Sequence, residues 1–204
     1  MFRVGLNPYG LAYSIGLQGR GTARANPAPM PVREFIALAR RLGGACIELD
    51  GRWLADRSDD DLARLGYEIS ASGMTPICSD WLLHQLGERL DHALRYTAVI
   101  GASLLRLHLT PVLEGTRARH GAQWTMMLDH ARRVLTEAAR QAATRGVALA
   151  IENHQDLTSE ELLAMAAEAG DHVGVVMDTG NPFAVGEDPV AFARRAASRI
   201  RHVH

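Results

Sequence analysis

Seven short apolar runs, each closing on a polar residue, punctuate the chain, with helix-patterned segments between them. They are FRVGLN (Phe2–Asn7), ACIELD (Ala45–Asp50), TPICSD (Thr75–Asp80), SLLRLHLT (Ser103–Thr110), VALAIENH (Val147–His154), VGVVMD (Val173–Asp178) and IRHVH (Ile200–His204). Alternate side chains of a strand fall on opposite faces. Val147, Leu149 and Ile151 therefore oppose Ala148, Ala150, Glu152 and His154, and Leu105, Leu107 and Leu109 oppose Arg106 and His108. Val173, Val175 and Met177 likewise oppose Gly174, Val176 and Asp178. One face is bulky and apolar; the other is small or polar. A doubly wound sheet buries both faces under helices and favours apolar residues on both. A barrel covers one face with helices and turns the other toward its own strands. The pattern favours the barrel: an α/β fold, a (β/α)8 TIM barrel truncated after the seventh strand.

The intervening segments carry helix punctuation. Ser58 can cap a helix that stops near Gly73, and Thr158 with Glu161 forms a capping box for a helix ending at Gly170. Asp188 followed by Pro189 reads as N-cap and first-turn proline for a segment into Ser198. No linker or composition break divides residues 1–204, so one domain is expected. The Gly- and Pro-rich stretch from Pro8 to Pro31 follows the first strand and could cover a pocket as a lid.

Composition narrows the function classes. The 204 residues carry a formal charge of −1 and are 47% hydrophobic, an ordinary globular balance with no electrostatic case for nucleic acid or a membrane surface. No apolar run is long enough to cross a bilayer and no signal-peptide layout opens the chain, so the cytoplasm is the default compartment. Cys46 and Cys78 are too few for a disulfide framework or a cysteine zinc site, and buried free thiols are expected. Homo-oligomerisation is left open.

Active sites of barrels of this kind lie at the C-terminal ends of the strands. Asn7, Asp50, Asp80, His108, Glu152, His154, Asp178 and His204 collect there. Glu152, Asp178 and His204 end three successive strands on the polar face, and two carboxylates with an imidazole suit a divalent cation. Any one of them alone could simply hydrogen-bond a neighbouring loop; three together favour a metal site. MDTG is also the signature of an aspartic protease, but those enzymes are all-β and need two such aspartates. Here the motif lies between helical segments and no second copy exists.

The stretches IENH, MDTGN, EDP and the terminal HVH resemble the xylose isomerase-like TIM-barrel superfamily of sugar isomerases and epimerases, in strand order along the whole chain. The resemblance implies one divalent metal bound by Glu152, Asp178 and His204, with Glu152 also the catalytic acid/base. Mn²⁺ or Mg²⁺ suits the oxygen-rich set, with Co²⁺ or Zn²⁺ as alternatives. It implies a fourth ligand, an eighth-strand Glu, with no counterpart here, so roughly 50–80 further residues are expected to complete the barrel. Where several members carry a histidine, this chain has Asn181, which can hydrogen-bond a substrate hydroxyl but is a poor metal ligand.

The implied activity is isomerisation or epimerisation of a small sugar-like polyhydroxy carbonyl compound through an enediolate. An inosose-type dehydratase and a non-catalytic sugar-binding barrel are the alternatives. His154, His108 and Glu48 are candidate substrate contacts beside Asn181, each with a structural role as its alternative. His202 reads as a hydrogen-bonded core residue. Arg117, Arg119 and His120 of EGTRARHG could meet an anionic group, although a solvated surface loop is the simpler reading.

Overall fold

The computed structural model describes residues 3–81, 83, 89–113 and 116–204. Phe2 of the first predicted run, and residues 114 and 115 of the EGTRARHG loop, lie outside the described residues. Seven strands alternate with helices along the chain, the element order of a TIM barrel. By compactness the chain divides into two units, Met1–Ser79 with Tyr96–Ser103, and Asp80–Arg95 with Leu104–His204.

In the first unit, β1 (Gly5–Leu6), α1 (Val32–Arg41), β2 (Cys46–Asp50), α2 (Asp59–Ala71) and β3 (Thr75–Ser79) follow in order, β2 pairing in parallel with both β1 and β3. β1 is shorter than the apolar run predicts. Asn7 turns the chain into a 3-10 helix, Pro8–Leu11, by accepting a hydrogen bond from Tyr9 N at 2.7 Å. Ser58 caps α2 as expected, accepting from Asp61 N, and three aspartates fill its first turn, where the helix dipole favours negative charge. Gly66 lies inside α2 because Ile100 passes against it: a Cβ there would sit 2.3 Å from the Ile100 carbonyl oxygen. Phe35, Ile47, Leu49, Leu62, Leu65 and Ile69 form the apolar interior of this unit. Cys46 and Cys78 are buried thiols outside any disulfide among the described residues, and burial pushes the Cys46 thiol pKa up, away from reactivity.

In the second unit, β4 (Leu104–Leu107), β5 (Ala148–Glu152), β6 (Val173–Met177) and β7 (Ile200–Val203) pair in parallel in chain order. The helices α4 (Gln123–Ala143), α5 (Ser159–Ala169) and α6 (Pro189–Ala196) connect them; of α3 (Arg89–Val99), which precedes β4 in the chain, the part up to Arg95 belongs to this unit. The capping box of Thr158 and Glu161 forms as predicted, and Asp188 Oδ1 accepts from Ala191 N at 2.8 Å. Leu105, Leu107, Leu149, Ile151, Val173 and Val175 are all buried on the apolar strand face. No helix among the described residues is long and apolar enough to cross a membrane.

Candidate metal centre

The strand ends of the second unit bring Glu152, Asp178 and His204 together, with one ligand atom from each lying within 4.8 Å of the others. Each is held by a different device. Glu152 is the last residue of β5 and is 3% exposed. Asp178 follows β6, and its backbone is clamped by Asn153: Asn153 Oδ1 accepts from Asp178 N at 2.6 Å, and Asn153 Nδ2 donates to Asp178 O at 3.0 Å. Asp178 Oδ1 accepts from Gly180 N at 2.8 Å and Asn181 N at 3.3 Å, while Oδ2 accepts no hydrogen bond among the described residues.

His204 depends on an irregularity in β7. Val175 pairs with Ile200, but the next residue, Val176, pairs with His202, so Arg201 is the extra residue of a bulge. Bulges re-aim side chains where a regular ladder would not. Arg201 packs over Gly174, where a Cβ would meet Arg201 Cγ at 2.3 Å. Beyond the bulge His204 N donates to Met177 O at 2.9 Å, and His204 O accepts from Thr179 N at 3.2 Å. These bonds hold the His204 backbone, and its ring lies with Nδ1 3.5 Å from Glu152 Oε1. His202 lies edge-on to the His204 ring at 5.0 Å.

β4 supplies the other side of Glu152. Arg106 Nη2 donates to Glu152 Oε2 in a buried ion pair, and His108 Nε2 lies 2.8 Å from the same oxygen. Arg106 Nη2 is also 2.6 Å from His108 Nε2. A ring nitrogen carrying a proton donates and one without accepts. His108 Nε2 can therefore serve Glu152 or Arg106, and which one it serves depends on a single proton. His154 stacks on His108 with ring centroids 4.2 Å apart, and Trp81 meets His108 edge-on at 6.3 Å. Burial, and then the Arg106 charge, hold the His154 pKa below the usual imidazole range.

The family model described as Xylose isomerase-like TIM barrel matches residues 36–204. The chain belongs to that family. The rhizopine catabolism protein MocC of Rhizobium meliloti is 36% identical over 97 residues, 46% of this chain and 28% of that protein. The inosose dehydratase of Clostridium beijerinckii is 30% identical over 101 residues, 47% of this chain and 32% of that protein. Each match thus takes in less than a third of the curated relative. The structure of D-psicose 3-epimerase with D-tagatose from Clostridium cellulolyticum H10 superposes with a TM-score of 0.73 at 16% identity, over 86% of this chain and 67% of the epimerase. At that identity the likeness is one of fold.

Other sequence candidates of this xylose isomerase-like chain fall differently. Asn181 opens a 3-10 helix, Asn181–Val185, and its N–H is bound to Asp178 Oδ1. Glu48 belongs to the first unit, where it is buried and accepts from Asn7 Nδ2 at 3.2 Å. Arg117 does not wave in solvent: it makes a two-pronged pair with Glu161, donates to Asp156 O and lies over the Trp124 ring. The Asp156 carboxyl is buried and, among the described residues, receives Thr110 Oγ1 at 2.6 Å and Leu157 N at 2.8 Å. Burial raises its pKa to about 6. The pattern of strand ends does not single out Arg106 or Asn153. The available signal for Arg106 is a charge in the middle of LLRLHL, on the same face as His108.

Proposed function

We propose that this chain binds one divalent cation through Glu152, Asp178 and His204 and acts as an isomerase or epimerase on a small polyhydroxylated carbonyl compound. The donor set carries the reading. Glu152 Oε1 and Asp178 Oδ2 accept no hydrogen bond among the described residues, and they belong to a group whose ligand atoms lie within 4.8 Å of one another, so each has a lone pair to offer a cation. Two carboxylate oxygens and an imidazole nitrogen fit Mn²⁺ or Mg²⁺, with Co²⁺ or Zn²⁺ next. A divalent cation bound there supplies Lewis acidity to a carbonyl oxygen and its neighbouring hydroxyl.

Glu152 is the acid/base in this reading. A proton received at Oε2 has His108 Nε2 2.8 Å away as its next acceptor. His154 stacks on His108, and the Asn181 side chain offers both a donor and an acceptor to a substrate hydroxyl. The 30% match to an inosose dehydratase favours a second reading, in which the same proton is removed beside a carbonyl and water is then lost. Ketoses and inososes incubated with the chain and Mn²⁺ in D₂O distinguish the two. Deuterium entering beside the carbonyl with an epimeric product supports the first, and loss of water supports the second. Absence of both Mn²⁺ binding and solvent exchange would sink the metal-dependent reading.

A further inference from the structure

Glu152 has two oxygens with opposite surroundings. Oε2 receives Arg106 and His108 from β4, whereas Oε1 receives no hydrogen bond among the described residues and faces His204 Nδ1 at 3.5 Å. Arg106 and Glu152 are both almost wholly enclosed, their side chains 5% and 3% exposed. A buried ion pair of that kind is rarely worth its desolvation as a stabilising device. A carboxylate between a guanidinium and a cation site also has a choice: both oxygens to the cation, or one to each.

We propose that Arg106 is a positioning residue that pins Oε2 of Glu152 to β4 and leaves Oε1 as the single oxygen offered to a cation. The inference rests on the metal-binding reading above and adds to it a constraint on how Glu152 binds. Arg106 offsets one of the two carboxylate charges, so the site attracts a cation less strongly than its ligands alone would. In exchange Oε2 stays beside His108 Nε2, where a proton can pass, instead of turning toward the cation.

The test is a titration of the chain with Mn²⁺ alone, read by calorimetry and by paramagnetic resonance of the free ion, with metal-free melting measured alongside. Arg106→Gln frees Oε2 and removes a neighbouring positive charge. Mn²⁺ binding should tighten about tenfold or more while the metal-free melting temperature falls. Arg106→Lys keeps the charge and should bind within about threefold of the original. A folded Arg106→Gln with unchanged or weaker Mn²⁺ binding overturns the proposal. Should Arg106→Gln fail to fold, about tenfold tightening in Arg106→Lys would overturn it as well, because the charge would still be present. If the unaltered chain, Arg106→Gln and Arg106→Lys all ignore Mn²⁺, the metal reading itself has failed and takes this inference with it. Binding by the unaltered chain but no tightening in Arg106→Gln isolates the failure to Arg106.

Discussion

Asp50 and Glu152 are both buried carboxylates that end a strand and face an arginine, and their oxygens are engaged differently. Asp50 sits at the end of β2 in the first unit. Arg52 Nε donates to Oδ1 and Nη2 to Oδ2, each at 2.7 Å, Arg52 N adds 2.9 Å to Oδ1, and Tyr9 Oη reaches Oδ2 at 3.3 Å. Both oxygens are used by neighbours in sequence or in the next loop. Glu152, in the second unit, gives only Oε2 to its arginine. The two-pronged guanidinium fork saturates a carboxylate; a one-sided approach leaves an oxygen that needs something else. Burial at a strand end therefore does not mark a site. What the proposed site has in addition is a carboxylate oxygen that its neighbours leave over.

Exchanging charge for neutrality at each position is the sharpest way to break that comparison. Glu152→Gln should weaken Mn²⁺ binding roughly a thousandfold, more than the 10–100-fold typical of losing an outer partner, and abolish turnover. Asp50→Asn should leave Mn²⁺ binding within about twofold yet cost about 2 kcal/mol, because Arg52 loses its charged acceptor. Calorimetric titration and urea unfolding on the two variants decide it. Near-normal Mn²⁺ binding in Glu152→Gln would remove the distinction.

Asp156 is a third case, its buried carboxyl held by two neutral donors among the described residues. Its pKa is raised to about 6 by burial, opposed by the bonds from Thr110 and Leu157. The folded protein then binds a proton that the unfolded chain has already released between about pH 4 and 6. Stability contributed by this group is present below the unfolded pKa and lost as pH rises through about 6. Asp156→Asn should flatten that dependence and stabilise the protein at pH 8. The gain should be up to about 3 kcal/mol, the free energy that corresponds to a rise in pKa from about 4 to about 6. Unfolding curves at pH 4.5 and 8, chosen to bracket about 6, measure it. A variant equally destabilised at both would show that the aspartate is a needed anion.

Much of this was legible in the sequence, because strand alternation and cap chemistry are local. The faces of β4 to β6, the Thr158 box and the Asp188 cap follow from residue type and spacing alone. The trio of Glu152, Asp178 and His204 could be named because each closes an apolar run. Which oxygen of Glu152 is engaged could not, since Arg106 lies 46 positions away and only the register of β4 against β5 brings it there. Nor does IRHVH announce a bulge, whose extra residue is defined only by its partner strand.

The bulge gives the next test. A Cβ on Gly174 would meet Arg201 Cγ at 2.3 Å, which can swing aside, and Arg199 O at 2.8 Å, which is backbone and cannot. Gly174→Ala should cost about 2 kcal/mol through this overpacking and, by shifting β7, weaken Mn²⁺ binding through His204. Binding that survives the loss of stability would uncouple the bulge from the donor set.

Glu161 gives the smallest expected effect and completes the series, being a half-buried carboxylate saturated on both oxygens. Arg117 donates to Oε1 and Oε2 at 2.8 Å each, Trp124 Nε1 reaches Oε1 at 3.3 Å, and Thr158 N and Oγ1 reach Oε2 at 2.9 and 3.0 Å. Thr158→Ala deletes the Oγ1 donor to Oε2 and the acceptor for Glu161 N, one half of the capping box, while the other half, Thr158 N to Oε2, is kept. The loss should be about 1 kcal/mol, and Thr158→Ser should restore most of it. Because both Arg117 prongs, Trp124 Nε1 and Thr158 N remain, the carboxylate stays satisfied and Mn²⁺ binding should not change. Groups that share one network are coupled, so Thr158→Ala combined with Arg117→Met should differ from the sum of the single changes by about 0.5 kcal/mol or more. Strict additivity in urea unfolding would mean that Glu161 holds its arginine and its cap independently, and that saturation is a tally of separate bonds with no cooperation between them.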